Sequence, residues 1–108
     1  MALEELLTDA ERSGGVAYTL IEPVDGGTRL DFPQCPIDVP WEAAVVFVDR
    51  DPLANWGHSC RYFLVSRQTG EVRSIDARFP PFRPGEARRW RVLYAAPSLP
   101  DHVVHREE

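Results

Sequence analysis

Asn55-Trp-Gly-His-Ser-Cys-Arg-Tyr-Phe-Leu-Val-Ser-Arg-Gln-Thr-Gly-Glu-Val-Arg-Ser-Ile-Asp-Ala-Arg-Phe79 decides the fold. Cys60 to Ser66 is dense in aromatic and β-branched residues, which favour a pleated, half-buried surface. Gln68-Thr69-Gly70-Glu71 supplies a glycine where a tight turn needs positive φ, and Val72 to Phe79 resumes the strand pattern. The stretch therefore reads as strand, turn, strand. At its mouth stands a His58-x-Cys60 pair.

Working outward, Ala43 to Asp49 is apolar on both faces and reads as a central strand covered on each side. The segment 33–40 holds three prolines in eight residues. It is expected to be an ordered loop or an edge crossing, because proline cannot serve a central ladder. Val16 to Glu22 alternates as a strand, Asp25-Gly26-Gly27 forms a hairpin turn, and Thr28 to Phe32 is expected as its return strand. Arg88 to Ala96 is a final strand, with Trp90, Val92 and Tyr94 expected on one face. Ahead of all of them, Leu3, Leu6, Leu7 and Ala10 recur at helical spacing. They predict one amphipathic helix over 2–13, stopped by Gly14-Gly15.

The fold class that follows is α+β: one N-terminal helix packed on a curved antiparallel sheet of about five to six strands. It is a single domain over 1–108, with helix in 1–15, sheet in 16–96 and a loose tail in 97–108. The predicted core contains Leu3, Leu6, Leu7, Val46, Val48, Leu64 and Ile75.

The chain of 108 residues carries a net charge of -5, unevenly distributed. Residues 1–60 hold three Arg against eleven acids, whereas residues 61–91 hold eight Arg against three acids. An anionic ligand on the Arg-rich hairpin is thus one expectation. The overall acidity argues against nucleic acid, whose binders are usually basic. The longest apolar run, Ala43 to Val48, is far too short for a membrane span. Acids rather than bases follow the first methionine, so no export signal and a cytoplasmic location are expected. In that compartment Cys35 and Cys60 are expected as free thiols.

Two site candidates emerge. Cys60 with His58 could form an imidazole-activated thiolate, or two ligands of a metal site. The other soft residues, Cys35, His102 and His105, match no zinc spacing, so no metal and no cofactor are expected. The second candidate is the loop 49–58, where Trp56 would anchor a contact flanked by Asp51, Asn55, His58 and Arg61. No complete catalytic signature occurs.

Tyr62-Phe-Leu-Val-Ser-Arg-Gln-Thr-Gly-Glu-Val72 resembles the strand–Thr-Gly-Glu–strand hairpin of PepSY-type and related protease-propeptide modules. The resemblance spans about a fifth of the chain. It implies a helix against an antiparallel sheet, similar to the cystatin-like shape, and binding or inhibition of peptidases. This chain is expected to depart from the pattern in having no export signal and in adding the loop 49–59. The expected function is a small non-enzymatic binding module, an inhibitor or immunity-type partner of another bacterial protein. The alternatives are a small thiol-dependent enzyme or redox protein using Cys60 and His58, and a small-molecule site between helix and sheet.

Overall fold

The computed structural model describes residues 3–32, 34–52, 59–79, 81 and 89–100. Among these residues, seven strands follow a short helical start. They are β1 (Val16–Leu20), β2 (Arg29–Phe32), β3 (Cys35–Asp38), β4 (Ala43–Asp49), β5 (Cys60–Ser66), β6 (Val72–Ala77) and β7 (Trp90–Ala95). Five of them form one antiparallel sheet in the order β6-β5-β4-β1-β7, while β2 and β3 form a separate two-stranded ribbon. Among the described residues the sheet is open, with β6 and β7 at its edges.

As expected, β4 lies at the centre and β5–β6 form a hairpin. The turn between them closes through the Gly70 N–H donating to the Ser66 carbonyl, with Gly70 at φ +77°. That left-handed conformation is why glycine stands there.

Both faces of the sheet are buried, by different elements. Val16, Tyr18, Val45, Phe47, Cys60, Tyr62, Leu64 and Trp90 pack under the ribbon's Cys35 and Ile37, joined by the half-buried Leu30 and Phe32. Aromatic rings fill this layer: Phe32 stacks on Tyr62 with centroids 4.5 Å apart, and Phe47 lies 5.1 Å from Tyr62. On the other face Ala17, Val46, Val48, Phe63 and Val65 meet Leu7 and Leu6 of the N-terminal segment.

Three expectations are corrected. The predicted helix over 2–13 is instead a 3-10 turn (Leu3–Leu6) followed by the short α1 (Asp9–Gly14). Thr8 interrupts the run because it caps the second piece. Its hydroxyl accepts the Glu11 N–H and the Glu11 carboxylate accepts the Thr8 N–H, a reciprocal capping box. The return strand expected for β1 pairs elsewhere. β1, buried at every position, takes β4 and β7 as neighbours, so 29–32 pairs with 35–38 in the proline-bearing segment. Pro36 is tolerated because each ribbon strand has a partner on one side only. Lastly, the register shift between Ala17 and Tyr18 breaks the alternation along β7. Trp90 and Val92 stay on the ribbon side, but Leu93 and Tyr94 pack on the helical side.

No helix among the described residues is long and apolar enough to cross a membrane.

Candidate functional site

The thiol candidate sits at the start of β5. Cys60 is fully buried, and Cys35 lies in the same aromatic layer; both are free thiols. Burial, joined by the charge of Asp49, pushes the Cys60 thiol up to about 12. An activated thiolate needs the opposite environment, electropositive and partly exposed. Burial also raises the Tyr62 phenol, whose hydroxyl donates to the Phe79 carbonyl at 3.2 Å. Among the described residues no group of three or more His, Cys, Asp or Glu side chains is placed to hold a metal ion.

Of the second candidate set, Trp56, Asn55 and His58 lie outside the described residues. Asp51 is exposed, and its N–H donates to the Asp49 carboxylate at 3.0 Å. Arg61 points inward, with its side chain only 12% exposed. Its Nε and Nη2 hold the two Glu11 oxygens at 2.9 Å each, and Nη2 also reaches the Leu6 carbonyl. Its guanidinium lies 4.9 Å from the Phe63 ring.

Glu11 is the residue that sequence reasoning missed. Its carboxylate, 1% exposed, sits between Arg61 and Arg50, whose Nε donates at 2.9 Å. Burial alone would raise its pKa, but the Arg61, Thr8 and Arg50 hydrogen bonds outweigh that and bring it down to about 2. Arg50 also donates to the Ser59 hydroxyl at 3.0 Å. The cluster thus ties the N-terminal segment to Arg50, just after β4, and to Ser59, just before β5. The Thr8-x-x-Glu11 capping signature was visible in the chain, but nothing in it paired Glu11 with arginines 39 and 50 residues away.

The exposed chemistry lies elsewhere, along β6. This edge strand is exposed over Val72–Ser74 and half-buried only at Ile75 and Ala77; Val72 is 38% exposed. The Ser66 N–H donates to the Glu71 carbonyl at 2.8 Å, which fixes the phase of the β5–β6 ladder. By alternation, the hydrogen-bonded pairs are then Leu64 with Arg73 and Tyr62 with Ile75. The main-chain N–H and C=O groups of Val72, Ser74 and Asp76 therefore point away from the sheet.

Beside this edge, between β6 and the ribbon strand β3, runs an open groove of about 480 Å³. Pro36, Ile37, Pro40, Leu64 and Ile75 make it largely apolar, while Asp38, Arg73 and Ser74 supply polar atoms. Arg73 is steadied at one side by Glu71 at 3.2 Å and by the Trp41 ring at 5.8 Å. β6 had been read only as half of a hairpin. The groove depends on where the ribbon folds back, which no local pattern declares. No family model, curated protein or solved structure matches the chain.

Proposed function

We propose that this chain is a non-enzymatic protein-binding module that receives an extended segment of its partner along β6. One observation carries the reading: an edge strand with outward main-chain groups lies next to an apolar groove. Strand addition uses those two features together, the backbone for affinity and the groove for side-chain selection. Alternate side chains of the incoming strand would fall over Ile37, Leu64 and Ile75. An inhibitor or immunity-type role would use the same edge, and so would the peptidase binding implied by the hairpin resemblance. The buried, raised Cys60 thiol gives the enzymatic alternative no support.

The test is selection of binders from a displayed library of random linear peptides, followed by amide shift mapping. Winning peptides should have alternating apolar residues and should shift Val72–Ala77 together with Ile37 and Leu64. Winners that map to another face would overturn the assignment.

A further inference from the structure

On the opposite side of the ribbon, β2 and the start of β7 enclose a second cavity of about 330 Å³. Its volume is at the small end for ligand sites, room for one ring rather than for a nucleotide or an extended cofactor. Its apolar wall is Leu20, Leu30, Phe32 and Trp90. Leu20 and Trp90 are buried, whereas Leu30 and Phe32 are half-buried, so part of their surface remains open to an occupant. Phe32, with one face stacked on Tyr62 and inclined at 48° to the buried Trp90, is half-buried and keeps part of its ring surface for an aromatic guest.

The charged lining consists of two guanidiniums, Arg29 and Arg89, and one carboxylate, Asp31. With Asp38, which Arg29 also meets, the two guanidiniums are balanced by two carboxylates. Arg29 meets Asp31 at 3.6 Å and Asp38 at 3.5 Å, and all three side chains are at least 60% exposed. Such long, solvated pairs contribute little, so exchanging them for a bidentate grip on an incoming carboxylate costs little. We infer that this cavity binds a small aromatic monocarboxylate, its ring against Leu30 and Phe32 and its carboxylate between Arg29 and Arg89. This site uses neither β6 nor its groove and stands independently of the protein-binding reading.

The probe is phenylacetate, titrated into isotopically labelled full-length chain, with phenylacetamide as the neutral isostere. Phenylacetate should shift the Leu30 and Arg89 amides and the Trp90 indole signal, and should bind about tenfold or more tighter than the amide. Arg29→Gln and Arg89→Gln, at exposed positions that leave the fold intact, should each weaken phenylacetate severalfold without changing phenylacetamide. Equal affinity for acid and amide would overturn the inference. So would shifts elsewhere on the molecule, no shifts at millimolar probe, or indifference of phenylacetate to both variants.

Discussion

Glu11 is the residue with the most at stake. Two guanidiniums converge on a carboxylate that is 1% exposed. Removing the carboxylate leaves the largely enclosed Arg61 unbalanced, and breaking a buried pair in this way typically costs about 3–5 kcal/mol. Glu11→Gln should therefore lose about that much stability in urea unfolding at neutral pH. The pH dependence follows from its direction of shift. Its folded pKa, about 2, is below the ordinary 4.5, so the stabilisation is fully present above pH 4.5 and disappears as pH falls towards 2. The difference amounts to about 3 kcal/mol. Wild type and Glu11→Gln should thus converge in stability near pH 2; a constant gap down to that pH would remove the ion cluster from the explanation. Cys60 makes the opposite case, since burial holds its thiol protonated. Native chain should resist alkylation at neutral pH and react on unfolding, with a rate that His58→Ala leaves unchanged. Rapid native labelling slowed by that substitution would restore the thiol chemistry.

Among the elements, α1 depends on a single capping residue. Thr8→Ala deletes the cap of α1 and should cost about 1 kcal/mol. Leu64, buried under the ribbon in β5, should cost about 2–5 kcal/mol when cut to Ala. The strands β1, β4, β5 and β6 were legible because their signals are local: β-branched runs, alternation, and a glycine turn at Gly70. The break at Thr8 was legible too, as a capping box, but the leucine spacing across it suggested a single helix. Two features could not be read locally. Whether 28–32 pairs backward with β1 or forward with 35–38 depends on β1 being claimed by β4 and β7. The slip that turns Tyr94 away from Trp90 arises only where β7 meets β1.

For the whole molecule, the covering of both sheet faces explains why the chemically suggestive residues and the exposed surface diverge. Sequence reasoning gathered its site from polar and reactive side chains near His58, yet folding buries Cys60 in the aromatic layer and commits Arg61 to Glu11. The groove was invisible in the chain because Ile37 and Leu64, 27 positions apart, meet only when the ribbon covers the sheet. The central claim is that β6 pairs with an incoming strand through its outward main-chain groups. Val72→Pro addresses it most directly: Val72 is the first residue of an edge strand, where proline is tolerated, and the substitution deletes one outward N–H donor. The measurement is the affinity of a library-selected linear peptide for wild type and for Val72→Pro, with chain stability followed in parallel. Loss of about tenfold or more in affinity, with stability nearly unchanged, is what strand addition predicts. Undiminished binding to a folded Val72→Pro chain would contradict it.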